Sequence, residues 1–326
     1  MGGTEMPGSG GGSLGSTLEP VLSEEIRQQG AALGPIQWFR SEWQRGGGST
    51  GLTTYTGPDG VARPAVVKLP VGPVELEWTV RACAAGGDHC PTPRVYASGT
   101  SVGGYDLAWL VMERLEGPPL AAKLDAEGVR QIVAAAARFQ QVAEVAGAGV
   151  ERTPAAPPDF ERLVDLSRQV VKRGDGIADG QRWNNELKAV HKALGVLTAR
   201  WSRRAINTWC HGDLHGGNAM RRADGTCVLI DLALVHPGHW VEDALYLERV
   251  LWGRPGVVDG TSTVSLLAAA RRERGLACDG DYGLLANIRR VLSAACAPAL
   301  FEREGNPRYL AHALELIHRL LPQVAH

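Results

Sequence analysis

The sequence predicts an α+β protein of two lobes, a five-stranded antiparallel sheet with one inserted helix followed by a mainly helical lobe. Three observations carry this expectation. The first third of the chain is rich in β-branched residues and turn signals. An alanine-rich, helical texture takes over from about residue 125. The change falls on one Gly-Pro break, EGPPL at 116–120. Strands gathered first and helices gathered after them make an α+β architecture.

The elements follow in order. Residues 1–18, dominated by Gly and Ser, read as a flexible tail. They carry no basic stretch leading into an apolar one, so no signal peptide is expected. Residues 19–116 make the first lobe. IQWFRSEWQ (36–44) reads as a strand, and GGGSTG (46–51) as a loop, because so many glycines cost too much entropy in a regular element. LTTYT (52–56) is β-branched and strand-like, GPDG (57–60) is a turn, and ARPAVVKLP (62–70) is the next strand. VELEWTVRACAAGG (74–87) reads as a helix closed by glycine, with PRVYASG (93–99) and DLAWLVMERL (106–115) completing the sheet. Residues 117–326 make the second lobe, with helices over 125–147, 160–173, 183–204, 241–252, 262–274, 283–302 and 308–321. Between two of them, 209–238 reads as a loop followed by a short strand.

The formal net charge of the 326 residues is -1, so no global basic field invites nucleic acid and no such partner is expected. No apolar run reaches the ~18 residues of a membrane span. The six cysteines contain no C-x-x-C pair, which fits reduced thiols in a cytoplasmic protein. A monomer or a homodimer is expected.

Five features suggest chemistry, and their order along the chain matters more than any one of them. Gly46, Gly48 and Gly51 fit G-x-G-x-x-G. The pattern joins strand to strand, not strand to helix as a dinucleotide fold requires. There it can lie over ATP phosphates or be a plain hairpin loop. Lys68, in AVVKL, puts an ammonium in an apolar strand, which is costly unless it is paired. It suits a phosphate ligand, or the solvent face of an edge strand. Glu75 and Glu77 follow on the helix, and only one can face the sheet. Glu77 is favoured, because Leu76, Val80 and Cys83 give it an apolar neighbouring face. In LVMERLEG (110–117), the backbone at Glu113 and Leu115 can hydrogen-bond an adenine edge, although an ordinary edge strand reads equally well. Last come HGDLHGGN (211–218) and Asp231 after the apolar CVLI. Phosphoryl transfer needs a carboxylate to orient the attacking hydroxyl and oxygen ligands to hold Mg²⁺. Asp213 suits the first role, and Asn218 with Asp231 the second.

HGDLHGGN followed by IDLALVHPGHWVEDAL resembles the aminoglycoside phosphotransferase and choline kinase superfamily, the small-molecule relatives of protein kinases, over roughly residues 36–320. The resemblance implies a protein-kinase-like fold and the use of ATP and Mg²⁺. It implies Asp213 as catalytic base, Asn218 and Asp231 as metal ligands and Lys68 as phosphate ligand. His211 would brace the loop, and Asp243 would tie the second lobe together. The implied acceptor is a small-molecule hydroxyl on an aminoglycoside-like antibiotic, a sugar or an amino alcohol. His215 stands where the family varies; packing or polar support is expected of it, with substrate contact as the alternative. Leu-Ala-Leu after Asp231, with a helix from about Val241, leaves no room for a protein kinase's activation segment. A protein kinase and a non-catalytic nucleotide-binding module are therefore the weaker readings. GDLHG (212–216) also resembles a metallophosphoesterase metal block, but the companion ligands are missing. A cationic acceptor would want carboxylates, among Asp159, Glu161, Asp165, Glu242, Glu302 and Glu304, or a cage from Trp183, Trp201, Trp240 and Trp252. Solvated helix acids and core packing are the plainer expectations.

Overall fold

The computed structural model describes residues 14–39, 48–154, 156–174, 176–258, 260–300 and 307–325. The chain divides into two units, Met1–Glu116 and Gly117–His326.

The first unit begins with α1 (Leu14–Gln28), whose Gly15, Leu18, Leu22 and Ile26 recur at helical spacing and are buried. The strands β1 (Ala32–Leu33), β2 (Gln37–Phe39), β3 (Ser49–Thr56), β4 (Ala62–Leu69), β5 (Val95–Gly99) and β6 (Trp109–Glu113) follow, with α2 (Pro73–Gly86) between β4 and β5. They form one antiparallel sheet in the order β1-β3-β4-β6-β5, with β2 also paired to β3. Alternation divides β4 between two faces. Ala65, Val67 and Leu69 join Leu18, Leu22 and Ile26 of α1 in one buried cluster, which leaves Lys68 on the other face.

Two expectations need correction. Residues 14–18 are not tail but the start of α1, because Leu18 begins an apolar face that Gly/Ser composition conceals. Among the described residues the sheet has six strands, since the short β1 adds to it.

The second unit is mainly helical: α3 (Ala126–Ala146), α4 (Phe160–Arg173), α5 (Gly180–Ser202), α6 (Val241–Leu251), α7 (Thr263–Glu273), α8 (Tyr282–Ala295) and α9 (Pro307–Val324). Asp125 caps α3 by accepting the Gly128 N–H at 2.8 Å, and Asp159 caps α4 by accepting that of Arg162 at 3.0 Å. The segment after α5, read as loop and one strand, forms two ribbons. In these, β7 (Thr208–Cys210) pairs with β10 (His236–Gly238), and β8 (Ala219–Arg221) with β9 (Cys227–Leu229). Trp183, Trp201, Trp240 and Trp252 are all buried core residues. All six cysteines are free thiols. Among the described residues no helix is long and apolar enough to cross a membrane.

Candidate active site

Lys68 lies in the middle of the first unit's sheet. Its strand β4 runs between β3 and β6, and Lys68 sits opposite Thr50 and Leu110. This excludes the edge-strand reading. Its ammonium is paired with the carboxylate of Glu75 on α2, so the partner is not Glu77. The reason is helix phase. Glu75, Trp78, Thr79 and Ala82 form the buried face of α2, and Glu75 is only 7% exposed. Glu77 points away; its side chain is 47% exposed and pairs with Arg81 at 3.0 Å.

The glycine motif also changes. Gly46 lies outside the described residues. Gly48 precedes β3, but Gly51 is inside that strand, opposite Trp38 and Val67. A Cβ at Gly51 would run into the Ile36 side chain and lie 3.1 Å from the Trp38 ring, so the residue serves close packing of β2 on β3. It is not a loop glycine. At the end of β6, the Glu113 N–H donates to Arg94 O at 2.8 Å. Of the amides proposed for an adenine edge, that leaves Leu115 N–H, which makes no hydrogen bond among the described residues.

In the second unit, the loop carrying Asp213 is held by two buried side chains and a glycine corner. His211 is fully buried, and its Nε2 contacts Ile230 O at 3.0 Å while Nδ1 accepts the Asp213 N–H at 3.3 Å. Burial pushes its pKa down, against the pull of Asp243. Asp243, also fully buried, accepts the backbone N–H groups of His211 at 3.1 Å and Gly212 at 3.0 Å, and the Gln140 side chain at 2.9 Å. Gly212 has φ +82°, and a Cβ there would strike the carbonyl of Leu234, so only glycine turns this corner.

These supports present Asp213. Its carboxylate faces His215 Nε2 at 3.5 Å and accepts the Asn218 amide at 2.9 Å. The His215 imidazole, with the Tyr246 hydroxyl and Asn218 outweighing burial, holds the Asp213 carboxyl well below the usual carboxylate range. His215 is itself fixed: Nδ1 accepts the Gly217 N–H at 2.9 Å, and the ring stacks on Tyr246 with centroids 6.3 Å apart. Tyr246 was not picked out from the sequence. It stands three residues after Asp243, so both lie on one side of α6, and that spacing was the available signal.

Asn218 Nδ2–H donates to Asp213 twice, to the backbone O at 3.0 Å and the carboxylate at 2.9 Å, and among the described residues nothing donates to its Oδ1. Its backbone O accepts the Ile230 N–H at 3.0 Å, so both peptide groups of Ile230 are gripped just ahead of Asp231. Asp231 is exposed and has φ 62°, an uncommon conformation for a non-glycine residue. An amide oxygen and an exposed carboxylate are hard donors that fit Mg²⁺. A zinc site on Cys210, His211 and His215 does not fit, because both His211 nitrogens and His215 Nδ1 are engaged with Ile230 O, the Asp213 N–H and the Gly217 N–H, and His215 Nε2 faces the Asp213 carboxylate.

After Asp231 the chain makes one short turn and β10, and α6 begins at Val241, so no activation segment intervenes. Of the acids weighed for a cationic acceptor, Asp159 is a helix cap, Glu161 is exposed on α4, and Asp165 pairs with Arg168 at 3.3 Å. Glu242 is largely buried and accepts Arg204 Nε at 2.8 Å and His239 N–H at 2.7 Å. Glu302 and Glu304 lie outside the described residues.

No curated protein matches the sequence. Solved structures do match the fold. A putative aminoglycoside phosphotransferase from Ralstonia eutropha aligns over 92% of this chain and 98% of its own, with TM-score 0.53 and 16% identity. A spectinomycin phosphotransferase, in complex with ADP and spectinomycin, aligns over 92% and 97%, with TM-score 0.57 and 10% identity. A putative fructosamine-3-kinase from Thermobifida fusca aligns over 92% and 98%, with TM-score 0.50 and 18% identity. The family model described as "Phosphotransferase enzyme family" matches residues 46–277, well over half of the chain and inclusive of Lys68, Asp213, Asn218, Asp231 and Asp243. The fold is thus the protein-kinase-like one that the sequence predicts, and the chain belongs to this phosphotransferase family.

Proposed function

We propose that the protein is an ATP- and Mg²⁺-dependent kinase that moves the γ-phosphoryl group to a hydroxyl of a small molecule. The observation that carries this reading is the setting of Asp213: a carboxylate facing Asn218 and His215, on a loop anchored by buried His211 and Asp243.

Lys68, held by Glu75, contacts phosphate oxygens. The Leu115 backbone N–H hydrogen-bonds the adenine edge. Asn218 and Asp231 would hold the divalent ion, which would neutralise phosphate charge. Asp213 accepts the hydrogen bond of the acceptor hydroxyl and aims its oxygen. That oxygen bonds to the γ-phosphorus as the bond to the β,γ-bridging oxygen breaks, ADP leaves with the electron pair, and the hydroxyl proton passes to Asp213. So acidic a carboxyl is a weak base. It suits a loose transition state, where positioning and charge neutralisation supply most of the rate and the proton moves late.

An ATP-consumption screen over aminoglycosides, sugars, amino alcohols and amino acids tests the reading, with Asp213→Asn as control. Turnover with one acceptor class, lost in the variant, supports it. Equal turnover by the variant, or none with any acceptor, sinks it.

A further inference from the structure

The second unit holds a cavity of about 220 Å³ bounded by Gly212 and Tyr246, the neighbours of Asp213. Arg204, Arg249 and Arg289 also line it, and Glu242 is the only acid among its lining residues. Glu242 is already engaged, with Arg204 Nε at 2.8 Å, the His239 N–H at 2.7 Å and His236 Nε2 at 3.7 Å.

Arg289 makes no direct ion pair among the described residues, and the one acid that acts on it through space, Glu242, is held by Arg204, His239 and His236. Its guanidinium packs against the rings of Phe160 at 5.0 Å and Trp201 at 5.1 Å. Its Nη1 is buried with no hydrogen-bond partner, and no carboxylate pairs with it among the described residues. Burial pushes its pKa down, to about 10, so it stays cationic at neutral pH. A buried guanidinium without partner is costly, and a planar fork of donors matches a carboxylate or a phosphate bidentately.

We propose that this cavity receives an anionic group of the acceptor, a carboxylate or phosphate on the hydroxyl compound, with Arg289 as its counter-ion beside Asp213. Calling the ligand an acceptor rests on the phosphotransferase reading above. Three guanidiniums against one carboxylate repel a polycation such as an aminoglycoside. The volume also lies below the ~300–1,000 Å³ typical of pockets for drug-sized ligands, which favours a small group.

The test separates the two readings by measuring binding and turnover apart. Calorimetric titration of the full chain compares D-gluconate with D-sorbitol and glycerol 3-phosphate with glycerol, in wild type, Arg289→Met and Arg289→Lys. Kanamycin joins the same compounds in an ATP-turnover assay. At least one acid should bind about tenfold or more tightly than its neutral partner. Arg289→Met should erase that preference without lowering the melting temperature, because it removes an unpaired buried charge, and Arg289→Lys should keep part of it. The pair that shows the preference tells carboxylate from phosphate. Preferential binding or turnover of the neutral or cationic compounds overturns the proposal. So does retention of the preference in Arg289→Met, or failure of both acids to bind at millimolar concentration. Arg289-dependent binding of an acid without any phosphorylation leaves the anion site standing and counts against the phosphotransferase reading alone. If Arg289→Met does not fold, the same loss read in Arg249→Met, with partial retention in Arg289→Lys, decides the matter.

Discussion

Asp213 is surrounded by groups that donate to it, and this fixes both its orientation and its weakness as a base. Replacing it with Asn keeps the shape and removes the charge. Turnover should fall by about 10²–10⁴-fold while nucleotide affinity, read by calorimetry, stays nearly unchanged. The direction of its pKa gives a second expectation. A carboxyl held below its usual ~3.9 is ionised at every pH above that value, so the pH profile of kcat/KM should show no acid limb from Asp213 between about pH 5 and 8. His215 supplies the largest support. His215→Ala should let the carboxyl rise toward its ordinary value and lower kcat more than it changes KM. A kcat effect absent at every pH would mean that His215 only packs.

At the scale of elements, helix phase decides which side chains matter. Along α2 the buried positions are 75, 78, 79 and 82, so Glu75 meets Lys68 and Glu77 meets solvent. Glu75→Ala should weaken nucleotide binding in titration. Glu77→Ala should leave it unchanged and shift stability by no more than about 0.5 kcal/mol, as for most surface changes. If the two variants behaved alike, the Lys68–Glu75 pair would not serve the nucleotide. Along α6, Asp243 and Tyr246 share the side that meets the Asp213 loop. Asp243→Ala would strand three donors, the His211 and Gly212 amides and the Gln140 side chain. At about 1–3 kcal/mol for each buried unsatisfied group, urea denaturation should show a loss of about 3 kcal/mol or more. The choice along α2 is not legible in the sequence. Glu75 and Glu77 are chemically equal, and the misleading apolar set Leu76, Val80 and Cys83 is only half-buried in the folded protein.

For the whole molecule, acid sensitivity should pass through Glu242. Burial opposes its charge, but His236 and Arg204 outweigh this and lower its pKa from 4.5 to about 2. A carboxyl depressed by folding stabilises the folded state above its unfolded pKa, and that stability is lost as pH falls through the folded value. The window here is therefore from about pH 4.5 down toward 2. Melting temperature should drop on acidification from pH 6 to 3 more steeply in wild type than in Glu242→Gln; parallel curves would exclude the linkage.

The sequence by itself determined the α+β order of elements, most helix boundaries within a few residues, and the phosphotransferase loop from His211 to Asp231. These are local matters: composition, periodicity, and polar residues packed into one short segment. The tertiary structure decided the rest. It moved Gly51 from loop into strand, because Ile36 and Trp38 close over it. It chose Glu75 over Glu77 through the phase of α2, and made Lys68 central by placing β6 beside β4. It also gathered Arg204 from the turn after α5, Arg249 from α6 and Arg289 from α8 into a single cavity wall. Such choices depend on groups far apart in the chain, and a sequence read in one dimension carries no distance between them.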